Sequence, residues 1–295
     1  MKFRLILLLL AMLCLLGGCT SPTGTTGDEK YDDLIVVGFS QVGAESDWRN
    51  ANTRSMQQSL SAQNGFRLII DDAQQKKERQ ITAIRNFIHQ GVDYIVLAPT
   101  TEDGWETVLG EAKAAGILVI ADDRAIQNTE AVDYYVTCDY FRLAQMQGEY
   151  IRDKLDLDNA AGPFNIEFIT GDPGDNNINF FFGGAMEVLQ PYLDSGVLVC
   201  PSGQTDIMDV ATPGWASDAA QARFENILGS YYADGTQLHA VMANNDSTAY
   251  GVENALAAGY TGEYPIVTGQ DCDVANTQNM AKGLQAMSVF KDTRT

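Results

Sequence analysis

Along most of the chain, short apolar runs rich in β-branched residues alternate with segments whose apolar positions recur every three or four residues. Runs at 34–39, 66–70, 94–98 and 117–121 are short and unbroken by polar alternation, which marks strands covered on both faces. Between them, Ile81, Ile84 and Ile88 line one face of a helix predicted over 75–90, with charged residues opposite. Val108, Leu109, Ala112 and Ala115 do the same over 104–115, and Gly65, Gly91 and Gly116 stand where helices should stop.

The alternation restarts after Asp139. Strands are expected at 164–169, 197–200, 239–243 and 265–269, and helices near 141–155, 186–193, 219–232 and 248–258. Regular strand-helix order implies parallel sheets with helices on both faces, an α/β class. Two doubly wound parallel-sheet lobes joined by a hinge fit better than one closed (β/α)₈ barrel, the structural alternative, because polar residues cluster at corresponding strand ends in each half. The division places 34–138 plus 271–295 in a first lobe and 139–270 in a second, with crossings near Cys138–Tyr140 and Gly269–Asp271.

The first residues read as an address. Lys2 and Arg4 precede an apolar stretch over 5–16 that is short for a membrane span and suits a secretory signal. Its ending, Leu16-Gly17-Gly18-Cys19, resembles a bacterial lipoprotein box, in which the cysteine thiol takes a lipid and becomes the new N-terminus. Residues 20–33, rich in Ser, Thr, Gly and Asp, read as a flexible tether. The expectation is export, with a lipid anchor at the outer face of the cytoplasmic membrane or a periplasmic location. Cys14 would leave with the signal, and Cys138, Cys200 and Cys272 are expected to be buried and unpaired. Thirty-nine acidic against 19 basic side chains give a net charge of −20, which repels phosphate backbones and argues against nucleic acid as a partner. Two histidines and no zinc spacing leave no metal or other cofactor expected.

In open parallel sheets, ligands bind beyond the carboxyl ends of the strands. Those positions hold Ser40 through Arg49 after the first strand and Asp122-Asp123-Arg124 after the fourth. In the second half they hold Gly171 through Asn177, Asn244-Asn245-Asp246 and Gln270-Asp271. Taken singly, Asp, Asn and Gly after a strand are ordinary turn and cap residues. Their recurrence at five strand ends points instead to a polyhydroxyl ligand. Planar Asp, Asn and Arg groups engage adjacent hydroxyls of a sugar, and Trp48 and Trp215 are candidates to pack on its C–H faces.

At these segments the chain resembles the sugar-binding proteins of bacterial ABC importers that share the ribose-binding-protein fold, a periplasmic binding protein-like, type I architecture. Residues 37–49 and 72–76 resemble the galactofuranose-binding branch. Residues 162–167, 175–177, 220–223, 269–271 and 289–294 look closer to the multiple-monosaccharide-binding branch. The resemblance implies ligand contacts from Trp48 and Arg49 in the first loop and from Asp123 and Arg124 after the fourth strand. Across the cleft it implies Asp175, Asn176, Asn177, Trp215, Asn245, Asp246 and Asp271, with Lys291 near the end. Phe180-Phe181-Phe182 stands where the ribose and galactofuranose branches carry an arginine, which favours an aldopyranose such as galactose, glucose, arabinose or xylose. In that family the chain continues past the Phe-Lys-Asp-Thr-Arg stretch with a helix and a strand, so the expectation is a chain missing its C-terminal elements.

The resemblance also implies partners: a monosaccharide, the permease subunits of an ABC importer, and a chemoreceptor or sensor kinase as a second reader of the closed form. An enzyme alternative is a secreted glycoside hydrolase using Asp123 and Asp271 as its carboxylate pair. No Gly-x-Ser-x-Gly elbow, phosphate loop or His-Glu-x-x-His is present, and the expectation is a protein that makes and breaks no bond. A sugar-responsive transcription factor would need a DNA-binding head where the export signal stands. Residues 156–159 lack the glycine and distal glutamate of a calcium loop, and His89 and His239 read as structural.

Overall fold

The computed structural model describes residues 33–294; the expected leader with Cys14 and Cys19, and the tether as far as residue 32, lie outside them. In the first half, strand β1 (Ile35–Gln41) pairs in parallel with β2 (Phe66–Asp72) and with β3 (Tyr94–Leu97). Strands β4 (Leu118–Asp122) and β5 (Tyr134–Val136) complete a five-stranded parallel sheet of order β2-β1-β3-β4-β5. Helices α1 (Asp47–Ser59), α2 (Lys77–Gln90) and α3 (Glu106–Ala114) are the crossovers. Ile84 and Phe87 of α2 and Leu109 of α3 meet Ile95, Leu97 and Val119 on one face, while Val37, Phe39 and Val96 meet Met56 and Leu60 on the other. Gly38 makes the first packing possible, because a Cβ there would lie 2.5 Å from the Phe87 ring.

Beyond α4 (Tyr140–Lys154), the second half builds β6 (Phe164–Ile169), β7 (Leu198–Val199), β8 (Ala240–Ala243) and β9 (Ile266–Val267) into a separate parallel sheet of order β7-β6-β8-β9. Its helices are α5 (Asn177–Ser195), α6 (Ser217–Tyr231), α7 (Asp246–Gly259) and α8 (Val274–Ala281). Two open sheets, each with a strand order that reverses, replace the single barrel held as the alternative.

Helix α1 and strand β5 escaped the sequence reading. The α1 segment carries only Trp48 and Met56 as large apolar residues, so no periodic face announces it. Its start is set by Ser46, whose extended backbone and Oγ cap the Arg49 N–H at 3.0 Å. Trp48 and Arg49, expected in a loop, therefore stand in the first turn of a helix. Helix α5 likewise begins at Asn177, well before the segment expected at 186–193.

Residues 271–289, expected with the first lobe, pack instead on the second sheet, and Lys291 beyond them reaches Trp48 in the first half. After β9 the chain forms α8, where Asn276 Nδ2 donates to the Asp246 carbonyl at 2.9 Å, and then returns beside β9. The Ala286 N–H donates to Val267 O at 2.9 Å, and the Val289 N–H to Gly269 O at 3.0 Å. The sequence order hid this because a short helix followed by a strand could serve either sheet.

Two buried glutamines tie the strand ends together. Gln80 on α2 donates through Nε2 to Ala98 O at 2.8 Å and Ser40 O at 3.4 Å, and its Oε1 accepts from the Thr100 N–H at 2.8 Å. Gln147 on α4 does the equivalent in the second sheet, donating to Gly269 O at 2.8 Å and Asn244 O at 3.3 Å. Each satisfies backbone groups just where its sheet stops and the polar loops begin.

Candidate functional site

The carboxyl ends of both sheets converge on one cavity. Its walls come from the β1–α1 turn, the residues after β4, the β6–α5 loop, the turn at 213–215, the residues after β8 and β9, and Lys291. Three of these positions hold non-glycine residues at positive φ: Asp123 at 65°, Trp215 at 54° and Asp271 at 107°. Such backbone persists only where its surroundings over-determine it, and it clusters at ligand sites.

Asp123 is the centre of the arrangement. Its carboxylate accepts from Arg49 Nη2 at 2.7 Å and from the Tyr140 hydroxyl, and Lys291 Nζ lies 3.8 Å away. Arg124 crosses the cleft to Asp175, with 2.9 Å between Nε and Oδ2, and Lys291 lies 3.5 Å from Asp271. Asn177 Nδ2 donates to the Asp123 carbonyl at 3.2 Å, and Trp215 Nε1 donates to Asp175 Oδ2 at 3.1 Å. Charges from both sheets thus interdigitate, and the space left among them is about 30 Å³. That is room for about one or two waters. A monosaccharide can enter only if the lobes part or Lys291 withdraws.

The two tryptophans are placed differently. Lys291 Nζ sits 3.5 Å from the Trp48 ring centre and the Arg49 guanidinium 4.9 Å from it, so cations cover the indole. The Trp215 indole lies against Gly171, where a Cβ would be 2.0 Å from the ring, and meets Phe181 edge-on at 5.8 Å. Gly171 is therefore required for the aromatic wall.

Burial and neighbouring charge push the carboxylates apart. Burial raises Asp123, but Arg49, Lys291 and Arg124 outweigh it and hold the group well below the usual carboxylate range. Burial works against the Arg49 charge too, and Asp123 and Glu45 overcome it and keep the guanidinium protonated. Burial raises Asp175 despite Arg124, and raises Asp271 despite Lys291. Asp122 is pushed up to about 6 by burial and by the adjacent Asp123 charge. Asp246 is pushed up to about 7, and Asp273 to about 8, by burial and by the Asp271 charge.

These shifts give stability a definite slope with pH. A carboxyl raised in the folded state binds more protons folded than unfolded between its unfolded value, about 3.9, and its folded value. Asp122, Asp246 and Asp273 therefore favour the fold fully below about pH 4, and that contribution is lost as pH rises towards 8. The opposite contribution of Asp123 is lost only as pH falls below the usual carboxylate range. The melting temperature is expected to fall between pH 5.5 and 8.5, measured by circular dichroism. Asp246→Asn should flatten the slope, whereas Glu225→Gln, an equal charge change on the exposed face of α6, should not. Equal slopes in both variants would assign the effect to net charge alone.

Of the sequence-predicted residues, the structure brings together Trp48, Arg49, Asp123, Arg124, Asp175, Asn177, Trp215, Asn245, Asp271 and Lys291 around the cavity. It leaves Asn176 and Asp246 outside that wall. Asn176 donates to Glu102 Oε2 at 2.6 Å, bridging the two halves at the rim. The Asp246 carboxylate turns away and accepts from Gln285 Nε2, the Ser288 hydroxyl and the Asp273 N–H at 2.8–2.9 Å, clamping the returning C-terminal segment. Asn245 has two tasks: its Oδ1 caps α7 through the Thr248 N–H at 3.0 Å, which leaves its amide on the cavity side. Glu45, Ser46 and Gln270 lie in the strand-end clusters, and Phe181 in the Phe180–Phe182 stretch, but none of the four is among the contacts that the resemblance implies. Glu45 pairs with Arg49 at 3.2 Å, an i,i+4 spacing visible in the chain. The three described cysteines are unpaired but only partly buried: Cys138 and Cys200 pack against the edge of the second-half core, and Cys272 stands in a loop beside Ser288.

The sequence matches the periplasmic binding protein domain family over residues 37–295. It is 39% identical over 276 residues to the multiple sugar-binding periplasmic protein SbpA of Azospirillum brasilense, covering 92% of this chain and 76% of that one. It is 42% identical over 219 residues to the multiple sugar-binding periplasmic receptor ChvE of Rhizobium radiobacter, covering 73% of this chain and 62% of that one. Among solved structures, an ABC transporter solute binding protein from Clostridium phytofermentans with bound β-D-glucose superposes with a TM-score of 0.86 at 50% identity, over 88% of this chain and 80% of that one. Two open parallel sheets with facing carboxyl ends, a polar cavity between them and a family match over nearly all the described residues agree: this chain belongs to the periplasmic binding protein domain family.

Proposed function

We propose that the protein captures a monosaccharide between its two lobes and delivers it to an ABC permease. The observation that carries this reading is a set of buried polar atoms around one cavity that have no hydrogen-bond partner within the protein: Glu45 Oε2, Arg49 Nη1, Asn177 Oδ1 and Gln270 Oε1. Buried donors and acceptors are costly when unmade, about 1–3 kcal/mol each, so a polyhydroxyl ligand that satisfies several at once is strongly favoured. The multiple sugar-binding names of SbpA and ChvE and the β-D-glucose bound in the Clostridium phytofermentans structure support the same ligand class. An aldopyranose is the preferred ring form.

The two lobes bend about the segments that pass between them, at 137–139 and after Val289, where Trp48 Nε1 donates to the Lys291 carbonyl at 3.1 Å. Each lobe holds part of the hydrogen-bonding set, so only the closed form satisfies a sugar on all sides. No bond is made or broken in this reading. Export through the leader and a lipid on Cys19 would hold the protein beside its permease, and a chemoreceptor or sensor kinase could read the same closed form.

Calorimetric titration with galactose, glucose, arabinose and xylose, paired with small-angle scattering, tests the proposal. Saturation by at least one sugar with a smaller radius of gyration is expected. Absence of heat with every sugar and unchanged scattering would overturn it.

A further inference from the structure

Beside the first cavity lies a second of about 220 Å³, also between the lobes. Glu45, Arg124 and Trp215 border both, so an occupant of one touches the same side chains as an occupant of the other. The remaining wall is polar and balanced in charge: Lys77 and Arg124 face Glu45 and Asp172. Neither extra charge is free to seek an ion. Lys77 Nζ donates to the Asp103 carbonyl at 2.6 Å, and the Asp172 carboxylate accepts from the N–H groups of Gly174, at 2.7 Å, and Gly214. Two wall atoms, Glu45 Oε2 and Thr100 Oγ1, are buried with no partner within the protein. An acceptor and a hydroxyl left unmade in a neutral, polar space suit an uncharged polyol rather than an anion or a metal ion.

We infer that the site takes a disaccharide, with one ring in the first cavity and the second ring between Glu45, Thr100, Arg124 and Trp215. This rests on the reading of the first cavity as a sugar site. The second cavity is far larger than the first and shares Glu45, Arg124 and Trp215 with it, so a substituent leaving the first ring reaches that space by passing between these side chains. The turn behind it is firmly set, because Gly214 adopts φ 64° and donates its N–H to Asp172. Lobe closure therefore need not expel the second ring.

The test is calorimetric titration of the full chain with glucose, galactose, maltose, cellobiose, lactose and melibiose. The comparison variant is Thr100→Tyr, which fills the second cavity and lies outside the first. At least one disaccharide is expected to bind within about tenfold of its tighter component monosaccharide. Thr100→Tyr should weaken that disaccharide by about thirtyfold or more while changing monosaccharide affinity by less than about twofold. Monosaccharide binding in the variant also reports that it folds. Binding of monosaccharides with no disaccharide bound, or an equal loss of both in the variant, would overturn the second ring and leave the monosaccharide reading intact. No binding of any sugar would overturn both.

Discussion

Replacing Asp123 by asparagine is expected to abolish high-affinity sugar binding. Asparagine keeps the shape and tolerates the left-handed backbone at this position, where φ is 65°, so the loop should survive the change. What is lost is the negative charge that holds Arg49 at 2.7 Å and lies 3.8 Å from Lys291. Breaking a buried pair from one side costs about 3–5 kcal/mol, because the partner is left uncompensated. If binding is the step that requires the cations in place, affinity should fall by about a hundred- to a thousandfold. Titration with the tightest monosaccharide, alongside a melting curve to confirm folding, measures this. An unchanged dissociation constant would remove Asp123 from the site.

Gln80→Leu should destabilise the first lobe more than any single surface change. The substitution nearly preserves volume but strands the Ala98 carbonyl and the Thr100 N–H, both now met by one amide, while the Ser40 carbonyl keeps the Ala98 N–H at 3.1 Å. At about 1–3 kcal/mol for each of the two unmet buried groups, the loss is about 2 kcal/mol or more. For a domain of this size about 2 kcal/mol lowers the melting temperature by about 4–8 °C. Gln147→Leu should act likewise but more weakly in the second lobe, through the Asn244 carbonyl, because the Gly269 carbonyl keeps the Val289 N–H. A calorimetric melt that shifts by less than about 2 °C would mean that other groups satisfy these carbonyls.

These glutamines illustrate what a linear reading misses. Each is a polar residue on a helix, indistinguishable in sequence from a solvated one, and only the crossover geometry carries it beneath two strand ends. Asp246 and Asn176 show the converse. Both follow the sequence logic of strand-end polar residues, yet Asp246 turns to Ser288 and Gln285 and Asn176 to Glu102. Their neighbours Asn245 and Asn177 face the cavity, because consecutive residues at a helix start point in different directions. Helix α1 was hidden for another reason: its buried face is largely polar, with Arg49 and Asn52 reaching Asp123 and Asp122, so the usual apolar stripe is absent.

The alternation of β-branched runs and amphipathic segments was enough to determine the α/β class, the parallel direction of the strands and the level at which polar residues gather, because those depend on local periodicity and on the handedness of crossovers. Tertiary structure alone decided which strand-end residues face inward, where the segment after 271 packs, and that Lys291 covers Trp48. Those outcomes depend on contacts between residues far apart in the chain, and no local pattern encodes which distant charge will pair with which.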